Sequence, residues 1–478
     1  MSAAAAPAVH GPLPRRLALT HGLGAAAYGI KENGFSTFLL LYCNQVLGMD
    51  PRLVGLALLI ALLIDGVADP LIGYLSDRTV TNWGRRLPWL ILAPIPLGLV
   101  WAQLWSLESA PGFWELVGIA VAVRLLVSCC EVPSIALVPE LTRDYDQRTT
   151  LLRYRFLFSW SASMLISFLA YGLFLKDGPL AAEGYRAYGL FGAALITGSV
   201  LFSALGQRRW AAVRPPPPAT PFSLRQAFAE LIECFSHRAF LVLLLGGALA
   251  YTSQGITFSI ANYLYAYVWL FNPLQFQIYT GVLLASVVTC FVVLPKWHAR
   301  WGKRDTAVVT ALLGMVFWVA PFLLNSAGLW PQRGTWASTL PLYAAFFVCN
   351  VFSVSAMVSA SSMMADVVEA SEEQTGRRNE GVFFSGNFFM QKCSTGLGIF
   401  VTSFLLAFAG LSDKVKPADV TPDVINRLSL AYCAAVILFA FAMAAVLRRF
   451  PITRADHEAR LAALSAARIN PDSEGLHP

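Results

Sequence analysis

Apolar runs of twenty or more residues, separated by short polar turns, fill most of the chain. They predict twelve membrane-spanning helices at about 20–47, 52–77, 87–107, 112–140, 155–175, 187–206, 239–269, 275–296, 306–325, 338–366, 381–410 and 427–447. Several runs are interrupted by glycine or polar residues, as expected of helices that line a cavity. One longer polar stretch divides the spans six and six. The pattern therefore predicts an all-α membrane protein of two six-helix bundles, 20–206 and 239–450, with polar tails at 1–19 and 451–478. The dividing stretch, 207–238, contains Pro215–Pro218 and the segment FSLRQAFAELIECF, which reads as an amphipathic helix lying on the membrane surface. The turn after the eighth span, KWHARWGKRD, echoes the turn after the second, DRTVTNWGRR. Such an echo at matching places suggests an internal repeat.

Composition and charge sharpen this picture. The 478 residues are 56% hydrophobic and only 13% charged, a membrane composition. The net charge of +7 sits in short loops beside apolar spans, so it gives no reason to expect a nucleic-acid partner. Arg15, Arg16, Arg78, Arg85, Arg86, Arg143, Arg148, Arg153, Arg208, Arg209, Arg214, Lys296, Arg300, Lys303, Arg304, Arg377, Arg378, Arg448 and Arg449 fall on one side. Only Arg52, Lys176, Arg186, Arg333, Lys414, Lys416 and Arg427 fall on the other, which predicts cytoplasmic termini. The opening MSAAAAPAVHGPLPRR has no apolar run before its arginines and does not read as a cleavable signal. The eight cysteines lack metal-like spacing and read as packing residues. Trp89, Trp105, Trp114 and Trp330, near span ends, read as interfacial anchors. No metal cluster or nucleophile–base motif argues for an enzyme.

The chemistry concentrates in Asp65–Trp89, DGVADPLIGYLSDRTVTNWGRRLPW. At about 1.5 Å per residue, Asp65 and Asp69 lie roughly 18 and 24 Å into the second span, within a hydrocarbon core about 30 Å thick. Their i,i+4 spacing puts them on one helix face. Each carboxylate costs about 2.5–3.5 kcal/mol at that depth. Two of them roughly 6 Å apart repel by about 3 kcal/mol at an effective dielectric near 20. Either one holds a proton or a cation sits between them.

Other polar residues interrupt the spans. Lys31 and Glu32 are adjacent in the first and, since neighbours do not share a helix face, each is expected to seek a partner on another span. Arg124 and Glu131, seven apart in the fourth span, lie near one face with Ser128 between them. Glu131 is left open to a proton, a substrate or Arg124. The following RDYDQRTTLLRYR reads as a charged cytoplasmic loop, with Arg155 just inside the fifth span. Tyr251–Gln254 and Asn350 add polar groups to the seventh and tenth spans. Asp366 and Glu369, at the inner end of the tenth, are candidates to pair with Arg148 or Arg378 and seal the inner mouth. Lys392 lies too deep in the eleventh span to snorkel, and needs a counter-charge from Asp65, Asp69, Glu131 or Glu32.

Asp65–Trp89 resembles the DxxxDPxxGxxxDxTxxxxGRxxPW signature of the glycoside–pentoside–hexuronide:cation symporters, the melibiose-carrier-like branch of the major facilitator superfamily, which also includes sodium-dependent lysolipid carriers. EVPSIALVPELTRDYDQR, and MMADVVEASEEQTGRRNEG with the following Lys392, resemble the same family. The resemblance implies cation-coupled symport by alternating access, with Na+ or H+ as coupling ion and no other cofactor. It implies cation ligation by Asp65 and Asp69, with Ser128 at the position of a hydroxyl ligand. It implies substrate contacts from Glu131, Arg155, Lys392 and Glu32. Three positions depart from the sugar carriers: Ala68 replaces an amide, Ile135 replaces a stacking aromatic, and Glu131 is one methylene longer than their aspartate. A sugar or glycoside is the first expectation for the solute and a lysolipid or other amphiphile the alternative. The protein is expected to act as a monomer in the inner or plasma membrane.

Overall fold

The computed structural model describes residues 12–142, 144–210, 238–375, 380–411 and 413–451. Among them every regular element is helical. In chain order these are α1 (Arg15–Leu23), α2 (Ala26–Asn33), α3 (Leu39–Leu41), α4 (Pro51–Arg78), α5 (Leu87–Leu92), α6 (Pro94–Leu104), α7 (Phe113–Leu141), α8 (Tyr145–Leu169) and α9 (Tyr185–Gln207). The second half supplies α10 (Arg238–Tyr263), α11 (Pro273–Ser326), α12 (Trp336–Thr375), α13 (Glu380–Ala409) and α14 (Pro422–Leu447). Ten helices are long and apolar enough to cross a membrane, by length and composition.

Local chemistry sets the boundaries. Pro51 opens α4 where its missing N–H costs nothing, and the Asp50 carboxylate accepts the Arg52 amide at 2.7 Å. At the start of α11, Asn272 accepts the Gln275 amide at 2.9 Å while Gln275 accepts the Asn272 amide at 2.8 Å, a reciprocal cap. α11 runs 54 residues but turns at Gly302, whose φ of +74° is cheap only for glycine. That turn falls between the sequence-derived spans 275–296 and 306–325.

Three boundaries differ from expectation. The first span begins at Arg15 and is not one helix: a bend at Gly24 separates α1 from α2, wide helical turns at Gly34–Phe38 separate α2 from α3, and a second wide stretch, Tyr42–Val46, follows α3. α8 begins at Tyr145, so Arg148 and Arg153 are helical rather than part of a loop. Asp144 accepts the Gln147 amide at 2.9 Å and starts the helix ten residues before its apolar run. α12 continues to Thr375, past the end of the tenth apolar run. The amphipathic linker segment, Cys234 and the C-terminal tail lie outside the described residues.

α4 packs against α7 on one side and α13 on the other, α2 against α8, α6 against α9, α10 against α13, and α11 against α12. α10 and α13 touch backbone to backbone. A Cβ on Gly398 would stand 2.3 Å from the Thr252 carbonyl oxygen, so only a small residue permits the crossing. The α4–α13 contact joins the first half of the chain to the second at mid-span. A second junction lies near the end where α4 starts. There Tyr263 Oη donates to Asn44 Oδ1 at 3.1 Å and Tyr267 Oη to Gln45 Oε1 at 2.8 Å. Asn44 Nδ2 donates to Asp413 Oδ1 at 2.6 Å. Trp105 is buried beside it, stacked on Tyr185 and edge-on to Tyr188, and does not anchor at the interface; four neighbouring aromatics outcompete the membrane surface for it. Trp114, 75% exposed and edge-on to Phe113, presents its ring outward as an anchor does.

Candidate cation and solute site

The charges of the spans converge where α4, α7 and α13 meet. One turn of α4 separates Asp65 and Asp69, and the Lys392 ammonium of α13 reaches both, at 3.0 Å and 2.5 Å. α7 supplies the rest. Ser128 Oγ donates to Asp65 Oδ1 at 2.7 Å, and Arg124 Nη1 lies 3.3 Å from Asp65 Oδ2. Arg124 and Ser128 are four apart, so one face of α7 presents both to the same carboxylate. The Arg124 guanidinium also rests 4.8 Å from the centre of the Phe35 ring. Asp65 is buried. Asp69 is 30% exposed and its Oδ1 has no partner among the described residues.

Lys31 and Glu32 correct the sequence reading. They pair with each other at 2.9 Å instead of with other spans. Their Cβ atoms diverge, but the four-carbon lysine stem folds back far enough to close the gap. Ser36 also donates to Glu32, at 2.9 Å. Glu32 stays half exposed at mid-span.

Arg124, spent on Asp65, leaves Glu131 without an ion-pair partner among the described residues. Glu131 is partly buried and feels the charges of Lys31, Lys392, Arg155 and Asp69. Arg155 of α8 is buried, donates to Ser134 Oγ at 2.5 Å and lies 5.2 Å from the Tyr28 ring centre. The acids Glu32, Asp65, Asp69 and Glu131 are thus matched by the bases Lys31, Arg124, Arg155 and Lys392. Ile135, where a stacking aromatic was the family expectation, is 45% exposed.

The proposed inner seal is mostly out of view. Arg148 Nε donates to the Thr142 carbonyl at 3.0 Å, within its own half. Arg378 and the side chains of Asp366 and Glu369 lie outside the described residues. The basic turn after α4 is built instead around carboxylates of the same half. Arg85 Nε reaches Glu140 Oε1 at 2.7 Å, Arg86 Nε reaches the same oxygen at 3.3 Å, and Arg86 also grips Asp77 and Ser76. Sequence reasoning missed Glu140 and the Asn44–Gln45–Asp413 junction. An amide pair closing an apolar span was the available signal for the second.

Residues 20–454 match the family described as MFS/sugar transport protein. The chain is 28% identical over 531 residues to an uncharacterized symporter of Synechocystis sp., a match covering 92% of this chain and 94% of that one. It is 24% identical over 467 residues to a sodium-dependent lysophosphatidylcholine symporter of Danio rerio, covering 88% and 84%. Its backbone matches a bacterial homologue of the iron transporter ferroportin, crystallised inward-facing, with a TM-score of 0.63 at 14% identity, covering 92% of this chain and 100% of that one. The match to the family over residues 20–454, nearly the whole chain, places this multi-pass membrane protein in the MFS/sugar transport family.

Proposed function

We propose that the chain is a cation-coupled symporter of a sugar or glycoside, working by alternating access. The observation that carries this reading is the Lys392 ammonium held between Asp65 and Asp69 at the contact of α4 with α13. An ammonium there does what a coupling cation would do. An arriving Na+ or proton competes with it, and the freed lysine becomes available to solute together with Glu131, Arg155 and the half-exposed Glu32. Asp65, Asp69 and Ser128 form the cation side of the site. Because Lys392 comes from the other half of the chain, ion occupancy is tied to how the halves pack. The membrane potential contributes about 2.3 kcal/mol per charge per 100 mV, roughly fifty-fold in accumulation.

Twelve spans in two bundles support this reading. Ten helices qualify by length, α11 comprises two helices across Gly302, and residues 15–46 form a further broken one. Both termini are read as cytoplasmic, a reading the basic loops support, and the protein as a monomer. We propose that Asp366 and Glu369 pair with Arg148 or Arg378 to seal the inner mouth in one conformation, in which Arg148 leaves the Thr142 carbonyl it meets here. An amphiphile such as a lysolipid is the second reading, favoured by exposed Ile135 and by the name of the Danio rerio relative.

Proteoliposomes under an imposed Na+ or H+ gradient, offered a panel of radiolabelled glycosides and lysolipids, test both readings. Gradient-driven accumulation is expected, falling at least about tenfold in Asp69→Asn. Undiminished accumulation in that variant would end the coupling claim.

A further inference from the structure

Arg124 is a second resident cation at the carboxylate pair. It is 2% exposed, and its Nη1 lies 3.3 Å from the same Asp65 oxygen that Lys392 approaches at 3.0 Å. The Phe35 ring closes one face of the guanidinium. Unlike Lys392, which crosses from the second half of the chain, Arg124 belongs to α7, packed against α4 within the first half. A rearrangement of the halves that withdraws Lys392 leaves Arg124 where it is.

The oxygen inventory is correspondingly small. Asp65 Oδ1 accepts from Ser128, Asp65 Oδ2 is shared by Arg124 and Lys392, and Asp69 Oδ2 accepts from Lys392. Only Asp69 Oδ1 has no partner among the described residues. Hard metal cations take several oxygen ligands. Among the described residues no group of three or more His, Cys, Asp or Glu side chains could hold a metal ion. Charge points the same way. Two carboxylates facing one guanidinium and one ammonium are already neutral, so an added metal cation leaves the cluster positive. Two unit charges roughly 4 Å apart, at an effective dielectric near 20, repel enough to weaken binding about a thousandfold.

We infer that Arg124 determines the cation specificity of this site: its guanidinium holds the place of an alkali cation at Asp65 and excludes Na+. The inference rests on the symport reading above and chooses among its ions.

The test needs no solute. Thermal unfolding of the purified full-length protein is followed in NaCl against choline chloride at equal ionic strength, for wild type, Arg124→Gln and Arg124→Lys. Wild type and Arg124→Lys are expected to unfold at the same temperature in both salts. Arg124→Gln is expected to gain a saturable stabilisation by Na+ of several degrees. Saturable Na+ stabilisation of the wild type would overturn the inference, even if Arg124→Gln proved too unstable to purify. So would a folded Arg124→Gln indifferent to Na+. Either failure leaves cation-coupled symport standing, because that reading is decided separately by gradient-driven uptake.

Discussion

Lys392 and its two carboxylates define the residue scale. Removing the ammonium leaves Asp65 and Asp69 facing each other with one fewer counter-charge, and an unpaired charge in a buried cluster typically costs about 3–5 kcal/mol. Lys392→Met is therefore expected to unfold at a clearly lower temperature than wild type. Adding Asp69→Asn should recover part of that loss, whereas Asp69→Asn alone should not stabilise. A double-mutant cycle by thermal unfolding checks the sign, and additive losses would mean the pair is not coupled. These three residues were legible from depth alone, because a charge that cannot reach water declares that it needs a partner. Which partner was less legible. Arg124 shares a helix face with Glu131 in the sequence, yet it turns to Asp65, because its contact is decided by the packing of α7 on α4 and not by spacing within α7. Lys31 and Glu32 mislead for a related reason. The rule that neighbours diverge applies to Cβ positions and not to the tips of long, flexible side chains.

At the scale of elements, the ten long apolar helices and most of their boundaries followed from apolar run length, which the bilayer thickness fixes. The errors came where amphipathic sequence extends a helix beyond the hydrocarbon, as in α8 and α12, or where backbone irregularity hides inside an apolar run, as between α1 and α3. Two glycines carry expectations here. Gly302→Ala places a side chain at φ +74°, a strain of about 1–2 kcal/mol. It should lower the unfolding temperature measurably without removing transport. Gly398→Leu drives a bulky side chain into the α10 backbone, where even a Cβ would stand 2.3 Å from the Thr252 carbonyl oxygen. A larger loss of folded protein, read by gel filtration after extraction, is expected. Equal effects of the two would deny that the α10–α13 crossing needs its small residues.

The whole molecule is joined at the basic-poor end by Tyr263, Tyr267, Asn44, Gln45 and Asp413. If this junction closes one mouth of the carrier, Tyr267→Phe with Asn44→Ala removes hydrogen bonds worth about 1 kcal/mol each. Three such bonds between the halves are lost, so the equilibrium should shift about a hundredfold toward the form open at that end. Labelling of a cysteine placed at Ile135 by an impermeant maleimide reads the change, and unchanged labelling would place the seal elsewhere. Burial raises the Asp413 carboxyl above its ordinary value, and the Asp50 carboxylate adds to the shift; the Asn44 amide opposes them. The joined form therefore binds a proton more readily than a separated one in which Asp413 titrates normally. Its stability should rise as pH falls through the acid range and decline above it. Labelling should diminish on acidification of that side, and Asp413→Asn should abolish the dependence. Of this junction only the adjacent amides Asn44 and Gln45 gave a signal in the sequence; their partners Tyr263, Tyr267 and Asp413 lie more than two hundred residues away and are unremarkable alone.

The matched set of four acids and four bases at the site has a consequence for energetics. A carrier whose vacant interior sums to zero feels no pull from the transmembrane field when it turns over empty. All voltage sensitivity then belongs to the loaded stroke.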